Sequence, residues 1–95
     1  MEHCSQFFKE LEVDNEQFLE AETLDFGFRA TGMLIVIDKG KALEWSFTQG
    51  KDLHGKLYKK DSFVVFDWFD AQKIWLRKAP GQKVTVRIWA WVRQR

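Results

Sequence analysis

Val84-Thr85-Val86-Arg87-Ile88-Trp89-Ala90-Trp91-Val92-Arg93 alternates almost without a break. Val84, Val86, Ile88, Ala90 and Val92 share one face, and Thr85, Arg87, Trp89, Trp91 and Arg93 share the other. Period-two alternation marks a strand with one side in a core, and here the aliphatic side is the core side. The other side should be plainly polar, yet it carries two indoles between two guanidiniums. Something is therefore expected to cover or contact them: a partner, a ligand, or the chain's own N-terminal segment.

Working back from this strand, Ala79-Pro80-Gly81-Gln82 reads as a Pro-Gly turn. Before it, Lys73–Lys78 is expected as a strand with Ile74 and Leu76 opposite Lys73, Trp75 and Arg77, so that 73–93 forms a hairpin. Ser62–Phe69 is a further strand with aromatic and β-branched residues on both faces. Met33–Ile37 is apolar on both sides and reads as central, followed by the turn Asp38-Lys39-Gly40-Lys41 and a returning strand Ala42–Thr48, which makes 33–48 a second hairpin. Thr23 to Arg29 is extended, with Gly32 as a bulge or turn. Gln49 to Asp61 reads as a long basic loop with a short strand near Leu57-Tyr58.

The N-terminal residues read differently. Phe7, Phe8 and Leu11 fall at i, i+1 and i+4, which predicts a short helix over 4–12, with Glu2 near its positive end. Asp14 or Asn15 is placed to cap a second helical turn through Phe18, Leu19 and Ala21. The expected fold is α+β and mainly β. One or two short N-terminal helices (residues 1–22) precede a strongly bent antiparallel sheet or small barrel of about six strands, residues 23–93. An open sheet covered by the helices is the alternative.

Ninety-five residues make one domain, 1–95. So short a chain buries only about 60–65% of its unfolded surface, and its core must be rich in large side chains; nine Phe, five Trp and one Tyr supply them. The longest apolar run, Met33-Leu34-Ile35-Val36-Ile37, is too short to span a bilayer, and the charged, polar first residues form no signal peptide, so no membrane role is expected. One cysteine, Cys4, excludes an internal disulfide and fits a reducing compartment, which points to the cytoplasm. The net charge of +1 hides an asymmetry: residues 1–47 hold ten Asp/Glu against four Lys/Arg, and residues 48–95 hold eleven Lys/Arg against four Asp/Glu. Either the acidic half lies against the basic half, or the basic half meets an acidic partner or nucleic acid.

Chemistry has few places to live. If 73–93 is a hairpin, Trp75 and Arg77 share one surface with Arg87, Trp89, Trp91 and Arg93. Trp and Arg together are typical of interaction hot spots. They also suit stacking on bases beside phosphates, and intramolecular cation–π packing explains them equally well. Lys51, Lys56, Lys59 and Lys60 are candidate contacts for phosphate or an acidic partner, against the plain reading of a solvated loop. No phosphate-cradling glycine motif occurs. Phe66, Asp67, Trp68, Trp45 and Tyr58 offer the elements of an aromatic cage, though core packing explains them more simply. His3, Cys4 and His54 are too few and too scattered for a metal site or a nucleophile–base pair. The chain is therefore expected to be a non-enzymatic module, without cofactor or metal. It would bind another protein, or a second copy of itself, as a small adaptor, inhibitor or accessory subunit. The alternative is single-stranded nucleic-acid binding by Trp stacking and Lys/Arg phosphate contacts.

Overall fold

A computed structural model describes residues 6–18, 23–49, 51–66 and 70–92. Eight strands follow one another: β1 Gln6–Val13, β2 Thr23–Ala30, β3 Gly32–Lys39, β4 Ala42–Ser46, β5 Gly55–Tyr58, β6 Phe63–Phe66, β7 Ala71–Lys78 and β8 Val84–Trp91. Between β5 and β6 lies a single 3-10 turn, Lys59–Asp61. The strands form two four-stranded antiparallel sheets, sheet I in the order β1-β8-β3-β6 and sheet II in the order β2-β7-β4-β5. Neither closes into a barrel. The fold is all-β, and the expected α+β class with about six strands in one bent sheet or barrel is corrected accordingly.

The core lies between the sheets. Val84, Val86, Ile88 and Ala90 of β8 face it with Met33, Ile35 and Ile37 of β3, and Leu43, Trp45, Ile74, Leu76 and Leu24 meet them from sheet II. These are the inward positions of alternating strands, as the period of two requires. Edge-to-face aromatic pairs tie the layers, Phe7 on Phe26 at 5.3 Å and Trp45 on Phe66 at 5.6 Å.

The predicted helix over 4–12 is strand β1 across its described part. Phe7, Phe8 and Leu11 fit a helical stripe, but Phe7, Leu11 and Val13 also fit every second position of a strand. The decision is non-local: all eight residues of β1 pair with β8, from Gln6 opposite Trp91 to Val13 opposite Val84. A short helix in water is marginal on its own, whereas this ladder satisfies the strand's backbone along one side. The second predicted helical turn is not formed over Asp14–Phe18; its remainder, with Leu19 and Ala21, lies outside the described residues. Asn15 instead ties this connection to β7, its side chain donating to the Leu76 carbonyl at 2.7 Å while its own carbonyl accepts from the Lys78 N–H at 2.9 Å.

Both predicted hairpins are corrected too. The turns after Lys39 and after Lys78 join strands that do not pair with each other. β3 and β8 are neighbours in sheet I, while β4 and β7 are neighbours in sheet II. Each turn carries the chain from one layer to the other, and the hydrogen-bonded partner of each strand comes from elsewhere: β8 lies between β1 and β3, β7 between β2 and β4. A Gly-containing turn signals reversal of direction, and a reversal serves a sandwich corner as well as a hairpin. Gly40, with φ +101°, sits where a Cβ would meet the Lys83 carbonyl at 2.7 Å, so the two turns pack against each other at one end of the sandwich.

Candidate functional site

The strand register sets out the solvent side of sheet I in rows. Phe8, Trp89, Leu34 and Val65 lie side by side across all four strands. On one side of that row are Gln6, Trp91 and Gly32; on the other are Glu10, Arg87, Val36 and Phe63. The outward residues of β8 are thus the middle of an apolar stripe that crosses the whole sheet. Phe8, Phe63 and Val65 are 53%, 57% and 46% exposed, and Leu34, Val36, Trp89 and Trp91 are half-buried by one another. Scattered surface hydrophobics are ordinary, but a contiguous outward row on a sheet is not.

Local contacts shape this face. The Phe8 and Trp89 rings lie 4.8 Å apart and tilted by 40°. The Trp91 indole lies down on Gly32, where any Cβ would come within 2.1 Å of its Nε1. Together Phe8, Trp89, Trp91, Leu34 and Gln6 line an open groove of about 660 Å³. The Arg87 guanidinium stands 5.5 Å from the Trp89 ring and donates two 2.8 Å hydrogen bonds to the Asp38 carboxylate. Those hydrogen bonds hold the Asp38 carboxyl below the usual carboxylate range and raise Arg87 above its ordinary value. Arg87 also feels Glu10, its neighbour across the β1–β8 ladder.

The expectation that Trp75 and Arg77 share this surface is corrected by the topology. They stand on the outward side of β7, in sheet II, on the far side of the sandwich. There Arg77 Nε donates to Glu44 Oε1 at 2.6 Å, Lys56 Nζ lies 3.5 Å from Glu44 Oε2, and the Phe18 ring lies 4.3 Å from the Arg77 guanidinium carbon. Trp75 is only 5% exposed. Arg93 lies outside the described residues.

The candidate lysines do not form one patch. Lys56 and Lys60 flank the half-exposed Tyr58 ring at 4.9 and 5.8 Å, and Lys56 already serves Glu44. Lys59 belongs to the 3-10 turn, and Lys51 to the β4–β5 loop, where its N–H donates to the Thr48 carbonyl at 3.0 Å. Among the described residues no aromatic cage forms: Trp45 and Phe66 pack into the core while Tyr58 points outward, and Asp67 and Trp68 lie outside the described residues. His54 accepts the Phe47 N–H at Nδ1, a structural role. Among the described residues no group of three His, Cys, Asp or Glu is placed to hold a metal ion.

Sequence reasoning singled out Trp89, Trp91 and Arg87 but missed Phe8, Leu34, Phe63 and Val65. The signal for Phe8 was present: Gln6, Phe8, Glu10 and Glu12 alternate with Phe7, Leu11 and Val13 around a single mismatch at Lys9. No family model matches the chain, and no curated protein and no solved structure is significantly similar to it.

Proposed function

We propose that this chain is a non-enzymatic protein-binding module whose contact surface is the outward face of sheet I. The observation that carries this reading is the row Phe8, Trp89, Leu34 and Val65, an apolar strip four strands wide on the solvent side of a sheet. Trp89 and Trp91 are its anchors, because large rigid rings bury much area for little lost entropy. A four-strand face ~19 Å across at strand spacing and at most ~27 Å long covers about 500 Å², below what a standard interface uses per partner and in the range of a transient contact. Glu10 on β1 gives one side of the face an acidic group, while Glu12 beyond it lies 3.5 Å from the Lys83 amine, so a partner with an apolar centre and a cation at that edge fits it best.

Nucleic-acid binding has the stacking rings in its favour, but the cations among the described residues are poorly placed for it. A phosphate at Arg87 competes with Asp38 at 2.8 Å and is repelled by Glu10, and the lysines near Tyr58 stand around a different aromatic residue. Two binding experiments separate the readings. A protein captured by the wild-type chain should be lost with Trp89→Ala/Trp91→Ala and kept with Arg29→Ala, whose ion pair with Asp70 is exposed and lies in sheet II. Retention by the double variant overturns the proposal. So does steeply salt-dependent quenching of tryptophan fluorescence by an oligothymidine, which is the signature of phosphate contacts.

A further inference from the structure

Each sheet has two edge strands, and an edge exposes a row of backbone N–H and C=O groups that invites another strand. Three of the four edges carry protection. β1 places Lys9 opposite Ile88, a core-facing position, yet Lys9 is exposed: a charge on the inward side of an edge strand discourages pairing. β2 is broken by a register shift between Asp25 and Ala30, with Gly27 at φ +85° and charged Asp25 and Arg29 outward. β5 carries Lys56 in its middle and begins with Gly55. The fourth edge, β6, is Phe63-Val64-Val65-Phe66, with neither a charge nor a proline.

The ladder fixes which β6 groups face outward. The Ser62 N–H turns back to the Lys59 carbonyl, but the Ser62 carbonyl accepts the Ile37 N–H at 2.8 Å and so points at β3. By the period of two, Val64 and Phe66 do the same, opposite Ile35 and Met33. Phe63 and Val65 therefore turn their N–H and C=O to the open edge, and their side chains are the exposed ones of the strand.

We infer that two copies of this chain pair β6 to β6, antiparallel about a two-fold axis through Val64, and so join their sheets I into one eight-stranded sheet. A second copy is the fitting occupant because the strand is complementary to itself. In this register Phe63 lies opposite the partner's Val65, and Val65 opposite the partner's Phe63. Both pairs fall on the outward face, and every backbone group so matched is an open one. Aromatic–β-branched cross-strand pairs are among the favourable ones, and no like charges meet within the strand. The joined sheet carries the apolar row of each copy in one plane, which makes the contact surface bivalent. The seam is short beside a standard interface, so the dimer is a weak one, seen at tens to hundreds of ~μM.

Sedimentation equilibrium across ~10 μM to ~1 mM tests this directly. The wild-type chain should rise from 11.3 kDa towards twice that mass. Val65→Pro should stay at the monomer mass with an unchanged circular dichroism spectrum, because the N–H it removes points away from β3, and proline is accepted at such edge positions. Val65→Lys, which gives β6 the kind of guard that β1 has, should behave the same if the proline variant folds poorly. Trp89→Ala/Trp91→Ala should dimerise as the wild type does. A chain that stays monomeric throughout overturns the inference, as does unchanged dimerisation of a folded Val65→Lys. Loss of the dimer in the tryptophan double variant, with Val65→Lys still dimeric, places the contact on the face instead of the edge.

Discussion

Strands β7 and β8 present nearly the same outward pattern, Lys73-Trp75-Arg77 and Arg87-Trp89-Trp91, on opposite sides of one sandwich. Their fates differ. On sheet II, Glu44 from β4 takes Arg77 at 2.6 Å, Phe18 from the β1–β2 connection lies over the guanidinium, and Trp75 is closed off. On sheet I, Arg87 is held from the rim by Asp38, and the rings of Phe8, Trp89 and Trp91 remain at the surface. An outward Trp/Arg pattern thus has two uses, to seat the chain's own covering segment or to meet something else. Which applies depends on residues distant in sequence.

The contrast can be broken most severely at the tryptophans. Trp75→Ala should cost about 3–5 kcal/mol, the range for removing a buried large ring, while Trp89→Ala should cost about 2 kcal/mol, because its ring is only partly buried. Urea denaturation of the two variants checks the ordering; equal losses would mean that the two faces are equally closed.

A second pair of variants uses glycines that sit beneath indoles. A Cβ on Gly55 would come within 2.3 Å of Trp45, which is packed in the core. One on Gly32 would come within 2.1 Å of the outward Trp91. Gly55→Ala should cost about 3 kcal/mol, since an overpacked core ring has nowhere to go. Gly32→Ala should leave the melting temperature within a few degrees of wild type, because Trp91 can swing off the sheet, and it should weaken partner binding instead. Thermal unfolding and binding by the same two proteins separate the effects.

Arg77→Ala should destabilise by about 2 kcal/mol. It leaves the buried Glu44 carboxylate with Lys56 alone, and the loss is reduced from the full buried-pair value because Arg77 is partly solvated. Arg87→Ala, at an exposed pair, should unfold at nearly the wild-type urea concentration. The smallest effect is in acid. Asp38 has a lower pKa folded than unfolded, owing to the hydrogen bonds from Arg87, so its contribution is complete above the ordinary carboxylate range and is lost as pH falls through the lowered value. Asp38→Asn should therefore flatten the acid limb of stability below about pH 4 and leave the neutral range parallel to wild type.

Much of sheet I could be read from residue order alone. Val84, Val86 and Ile88 are buried as their alternation requires, and the doubly apolar run in β3 does lie inside its sheet. What could not be read was set by distance along the chain. Phe7, Phe8 and Leu11 satisfy a helical and a strand spacing at once, and only pairing with β8 some eighty positions away selects the strand. Pro80-Gly81 specifies a reversal but not whether the next strand stays in its sheet. The site suffered from both ambiguities: Trp75 and Arg77 were placed on the wrong face by the turn, and Phe8 was hidden by the helix.

The accessibility of individual indoles tests the central claim most directly. With indole N–H resonances assigned by NMR, a soluble nitroxide added to the free chain should broaden those of Trp89 and Trp91 strongly and leave those of Trp45 and Trp75 sharp. Equal protection of Trp89 and Trp91 would mean that the outward face of sheet I is covered in the free protein, and it would contradict the account of that face as an open contact surface.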